Sequence, residues 1–188
     1  TLATSSAASD VYKRQEATSP VTADVWAEHS IWVQDPQYAL ALTGGVTAFH
    51  ILPGSANLIG GRGVTVKNLQ RNTINSMKFP EAPHSLKMAC GENPKRVYGN
   101  RGQAPSTRMG NAAGYRKSWI QAEGYLRRLN EYEEKSDEAK ELEYAPTRDL
   151  EMETLVGVLK GEILVHNHCY RADEMATMID IAKEFNYK

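Results

Sequence analysis

The chain has 188 residues, 41% of them hydrophobic, with 22 basic and 23 acidic side chains. That length and composition can bury a sizeable core, so disorder is not the default, and a formal charge of −1 excludes a surface built throughout for nucleic acid or anionic lipid. No run of about eighteen apolar residues is present to span a bilayer, and the N-terminus lacks the basic-then-apolar order of a secretion signal. No membrane partner is therefore expected, and the chain is expected to be soluble, cytoplasmic or exported according to what precedes it.

Residues 1–15 stand apart. The stretch Ser5-Ser6-Ala7-Ala8-Ser9-Asp10-Val11-Tyr12-Lys13-Arg14-Gln15 resembles the recurring translation of sequencing-adapter DNA in assembled environmental reads. It is expected to be a disordered, non-native tail, with residues 16–188 forming one domain and no further boundary.

Along the chain, a helical turn at Ala39–Leu42 leads into Val46–Leu52, whose near-continuous apolar character predicts a strand buried on both faces, as in a parallel sheet. Four glycines between Gly54 and Gly63 predict a loop, and Val64–Val66 a short strand. Ser85–Gly91 reads as a second clear strand, with Leu86, Met88 and Cys90 on one face and Lys87, Ala89 and Gly91 on the other. Ser106–Glu143 is expected to be a long helix with Ser106 or Thr107 as N-cap and Ala112, Tyr115, Trp119, Ala122, Leu126 and Leu129 along its apolar side. Arg148–Lys160 is a further helix closed by Gly161. The strand Ile163–Cys169 follows, then an amphipathic helix Ala172–Phe185 with Met175, Met178, Ile179 and Ala182 toward the core. Buried strands separated by helices imply βαβ units and an α/β fold.

In the last strand the two-residue period places Leu164, His166, His168 and Tyr170 on one face. Strand ends in α/β sheets and barrels carry ligands, so His168 is well placed for a metal, with His166 one layer deeper. Spacing alone leaves metal ligation and hydrogen-bonded structural histidines both open. Cys90 and Cys169 stand far apart without a CxxC spacing, so neither a disulfide framework nor a cysteine zinc site is expected. The segment 93–122 holds Lys95, Arg96, Arg101, Arg108, Arg116 and Lys117 and no acid. It reads as a solvated face, a grip for a substrate carboxylate, or the anion-binding surface of a non-catalytic α/β module. His50 is expected to be a core histidine satisfied by hydrogen bonds.

Three segments in order, Gly45–Gly61 (GVTAFHILPGSANLIGG), Leu86–Arg96 (LKMACGENPKR) and Val165–Glu174 (VHNHCYRADE), resemble a microbial branch of the amidohydrolase superfamily related to imidazolonepropionase and the metal-dependent prolidases. The resemblance implies part of a (β/α)8 TIM-type barrel, roughly strands 2 to 5 with their helices. It also implies hydrolysis of a carbon–nitrogen bond, amide, cyclic amide or dipeptide, in a small-molecule substrate, by water activated on one or two divalent ions. Zinc is the first expectation, with manganese, iron or nickel compatible. His168 matches the fifth-strand metal histidine, with His166 its inward neighbour. Lys87 matches the lysine carboxylated to a carbamate that bridges two metals, and Glu92 is the rival bridge. Tyr170 stands where the related pattern has a second histidine and, with Arg108 and Asn57 of the glycine-rich loop, is a candidate substrate contact. No nucleic-acid partner is implied, and a homo-oligomer is compatible. The superfamily's first-strand HxH, sixth-strand histidine and eighth-strand aspartate have no counterpart here, so the isolated chain is expected to be inactive.

Overall fold

The computed structural model describes residues 15–188; the first fourteen, and with them most of the adapter-like stretch, lie outside the described residues. Among the described residues four strands form one sheet in the order β1–β2–β3–β4: β1 (Ala48–Ile51), β2 (Ile59–Lys67), β3 (His84–Ala89) and β4 (Ile163–His168). The helices are α1 (Gln37–Thr43), α2 (Glu92–Gly99), α3 (Arg108–Glu133), α4 (Asp137–Leu142), α5 (Leu150–Leu159) and α6 (Ala172–Glu184). β1 and β2 pair antiparallel, as do β2 and β3, whereas β3 and β4 pair parallel and are joined through α2 to α5, which is the expected βαβ connection. The fold is thus mixed α/β. Among the described residues no helix is long and apolar enough to cross a membrane.

Helix boundaries follow local chemistry. The Thr107 side chain accepts from Gly110 N–H at 3.0 Å and starts α3, and Asp149 accepts from the N–H groups of Glu151 and Met152 to start α5; each cap satisfies amides that the first turn leaves open. Gly161, at φ +76°, follows the end of α5, a conformation in which a β-carbon is disfavoured.

One face of the sheet carries the main core. Ile59, Leu86, Met88 and Ile163 pack against Tyr115, Trp119, Ala122 and Tyr125 of α3, Leu155 and Val158 of α5, and Met178 and Ile181 of α6. Each large apolar side chain fully buried in this way contributes about 1.5–3 kcal/mol. A smaller cluster, Ala27, Ile51, Val64, Val66 and Met77, lies against β1 and β2.

Several expectations are corrected. The Val46–Leu52 run forms a short edge strand, antiparallel to its neighbour, in which only Ile51 is buried; an apolar run does not reveal whether a second layer covers its other face. The expected glycine loop holds only as far as Leu58; from Ile59 its second half joins the expected strand Val64–Val66 in the nine-residue strand β2. Its glycines serve a bulge between Ile59 and Gly61, where Gly61 has φ +105°, and a close approach at Gly63, where a β-carbon would overlap Ser85 Oγ. The long helix stops at Glu133, and α4 restarts at Asp137 with Ser136 as its cap. α2 has no counterpart among the expected helices. In α6 Met178 and Ala182 face the core as expected, whereas Met175 and Ile179 are exposed and Ile181, with Phe185 just after the helix, takes their place, a displacement of the apolar stripe around the helix.

The cysteines also depart from expectation, for Cys90 and Cys169 are bonded as a disulfide with a Cα–Cα separation of 5.1 Å. The cause is register. Ala89 pairs with His168, so the residues that follow them are neighbours although 79 positions separate them in sequence.

Candidate metal centre

Strand alternation and register build the site on the sheet face opposite the helices. On β3 this face carries Ser85, Lys87 and Ala89; on β4 it carries Leu164, His166 and His168; Lys87 lies opposite His166, and Ala89 opposite His168. His50 of β1, paired with Thr65, joins the same face. The face is open, with His50, Leu164 and His166 exposed.

His168 sits at the C-terminal end of β4. Its Nε2 is buried and has no hydrogen-bond partner, and the Tyr170 ring stands edge-on to it at 4.7 Å. Burial, and secondly the nearby Lys87, hold the imidazole below its ordinary pKa, which favours the neutral ring. A neutral ring with an unused nitrogen is the form that binds a metal.

Lys87 is half-buried, and burial pushes its amine below the usual lysine range. Among the described residues no carboxylate pairs with it, so the salt-bridge role open to a strand lysine is not realised.

The His166 ring lies tilted against His50, with ring centroids 4.7 Å apart and 32° between the planes. The His50 ring is held at both nitrogens, Nδ1 to Thr65 Oγ1 at 2.8 Å and Nε2 to Ser85 Oγ at 2.9 Å. Burial, and secondly His166, lower its pKa. The hydrogen bonds expected of His50 are present, but its place is on the open face and not in the core.

Other candidates are engaged elsewhere. Glu92 lies in the first turn of α2, paired with Lys95 at 3.0 Å and Arg108 at 3.7 Å; the hydrogen bond from Lys95 holds its carboxyl below the usual range. Arg108 donates through Nε to Glu174 Oε1 at 2.7 Å. The Asn57 side chain, 1% exposed, donates to Glu16 O, Ser19 O and Thr22 Oγ1 and accepts from Gln15 Nε2, fastening the N-terminal segment to the body. Tyr170 remains at the rim, its hydroxyl donating to Asn93 Oδ1 at 3.4 Å.

The acid-free basic segment is not a free cationic surface. Tertiary structure brings Glu174 to Arg108 and Glu184 to Arg116, α2 brings Glu92 to Lys95, and Arg101 donates to the Ala17 carbonyl. The anion-binding alternative loses its footing because the neutralising acids come largely from distant sequence.

Sequence reasoning did not identify Thr65 and Ser85 as partners of His50, or Glu174 as the residue over Gly91. Strand alternation places Ser85 with Lys87, and this was the available signal; the other two depend on contacts across the fold. Among the described residues no group of three or more His, Cys, Asp or Glu side chains is gathered to hold a metal. His168 and Lys87 therefore fit part of a metal shell.

No family model matches the chain. The chain is 34% identical over 187 residues to a protein named amidohydrolase tasK, from Hapsidospora irregularis, covering 92% of this chain and 19% of that protein. It superposes with a TM-score of 0.83 on the crystal structure of an amidohydrolase from Thermotoga maritima MSB8, at 40% identity, covering 93% of this chain and 44% of that one. Both of these relatives carry the name amidohydrolase. The chain spans less than half the length of either relative.

Proposed function

We propose that this chain supplies part of the active site of a metal-dependent amidohydrolase of the imidazolonepropionase and prolidase-like branch, its parallel β3–β4 pair forming part of a (β/α)8 barrel and the antiparallel β1 and β2 lying outside the expected run of barrel strands. The substrate is a small molecule with an amide, cyclic amide or dipeptide C–N bond. The observation that carries this reading is the unpartnered, buried Nε2 of His168 on the same face as Lys87, which no carboxylate among the described residues pairs.

In this reading His168 would hold a divalent ion through Nε2, zinc first. Lys87 contributes the anion: its amine, made easier to deprotonate by burial, attacks carbon dioxide and loses a proton to give a carbamate. Such an anionic carbamate would offset the repulsion between two cations held there. Glu92 is the weaker candidate for that role because two cations already hold its carboxylate. A bound cation lowers the pKa of water to about 7 and polarises a carbonyl oxygen. His166 and His50 share the sheet face with His168, and Tyr170 at the rim is placed to meet substrate. The remaining ligands come from parts of the barrel that this chain does not contain, so the 188 residues alone are inactive.

Metal analysis of the full-length protein tests the reading. His168→Ala is expected to remove bound zinc, with thermal unfolding as a control for folding. Unchanged zinc content in a folded His168→Ala protein overturns it.

A further inference from the structure

Cys90 and Cys169 directly follow the paired residues Ala89 and His168 at the ends of β3 and β4. Besides the bond between their sulfurs, the Cys90 N–H donates to the His168 carbonyl at 2.8 Å. Both sulfurs belong to the core side of the sheet, behind the candidate metal centre.

Beside the pair lies Glu174, 7% exposed, with its Oε2 3.9 Å from Cys90 Sγ. A disulfide sulfur carries no hydrogen, so this contact is a hydrogen bond only when Cys90 is a thiol. The other carboxylate oxygen is held by Arg108, which keeps the acceptor in place in either state. The fold thus houses the bonded pair and also offers the reduced Cys90 a buried partner. Cys90 is 3% exposed, whereas Cys169 is only partly buried. A thiolate from solution therefore reaches the Cys169 sulfur first.

We propose that Cys90 and Cys169 form a reversible thiol–disulfide clamp that sets how firmly the end of β4 is held, and through it the metal affinity of His168. The second half rests on the functional reading above. On closing, an S–S bond forms and both S–H bonds break. Two electrons and two protons pass to a low-molecular-weight disulfide, whose own S–S bond breaks to give two thiols. Closed, the residue after His168 is covalently tied to β3; open, the two strand ends are joined there by backbone hydrogen bonding alone.

The test uses the full-length protein equilibrated in oxidised and reduced glutathione mixtures. Alkylation and peptide mass spectrometry count the free thiols at both positions, hydrogen exchange follows the 163–170 segment, and a competing chelator measures zinc affinity. We expect the two thiols to disappear together as the mixture becomes oxidising, with exchange in the segment slowing several-fold. Zinc should bind about tenfold more tightly in the oxidised state, the scale on which supporting residues around a metal act. The Cys90→Ser/Cys169→Ser protein should behave as the reduced form in every mixture. Thiols that never pair, or exchange that is the same in both states, overturn the clamp. Redox-dependent exchange without zinc binding in either state keeps the clamp and overturns the reading of His168 as a ligand, together with the metal half of this proposal.

Discussion

Replacing Gly91 by alanine tests how the end of β3 is held. Gly91 has φ 65° and ψ −119°, a conformation that costs a residue with a β-carbon about 1–3 kcal/mol. The new β-carbon would also overlap Cδ and both carboxylate oxygens of Glu174, so that carboxylate must leave its place beside Arg108. Losing this charge-assisted hydrogen bond adds about 1.5 kcal/mol, taken at the low end because the Arg108 side chain is 43% exposed. The sum is about 2.5–4.5 kcal/mol, a large share of the ~5–15 kcal/mol that stabilises a typical domain. Urea denaturation of the full-length protein, with Gly102→Ala as control, measures it. Gly102 has φ +69°, and a β-carbon there would meet nothing within 4 Å, so its substitution should cost only the backbone share, about 1–2 kcal/mol. Adding Glu174→Ala to Gly91→Ala should remove the overlap and make the double substitution less damaging than the sum of the two singles. Equal losses from Gly91→Ala and Gly102→Ala, or strict additivity with Glu174→Ala, would refute the reasoning.

Asn57→Ala should destabilise the protein by about 2–4 kcal/mol, since several buried partners lose their bonds, and leave zinc affinity unchanged; a selective loss of substrate affinity with intact stability would instead make Asn57 a substrate contact. Lys87→Met, which cannot form a carbamate, should leave the protein folded and remove part of its zinc; full zinc content in this variant would exclude Lys87 as the bridge. For pH, His50 and His168 both have folded-state pKa values below the ordinary 6.5. The unfolded chain therefore binds protons first as pH falls, so their stabilising contribution is complete above 6.5 and is lost as pH drops through the folded values. Thermal melts of the metal-free protein between about pH 7.5 and 5 should show this decline, and His50→Gln should reduce it; an unchanged decline in that variant would exclude a contribution from His50.

The sequence by itself determined the α/β class, the strands at Ser85–Gly91 and Ile163–Cys169, the helices around Trp119 and Leu155, and the shared facing of His166 and His168. These follow from periodicity and capping, which act over a few residues and so are written locally. Tertiary structure decided the rest. The antiparallel pairing of β1 and the strand hidden among the glycines of β2 depend on which backbones approach one another. The alignment of Lys87 with His166 and of Ala89 with His168 depends on the register of strands far apart in sequence. That one alignment places Lys87 near His168, brings Cys90 to Cys169, and leaves a histidine nitrogen buried without a partner; with the packing of α6 that sets Glu174 over Gly91, it depends on long-range contacts that no local pattern encodes.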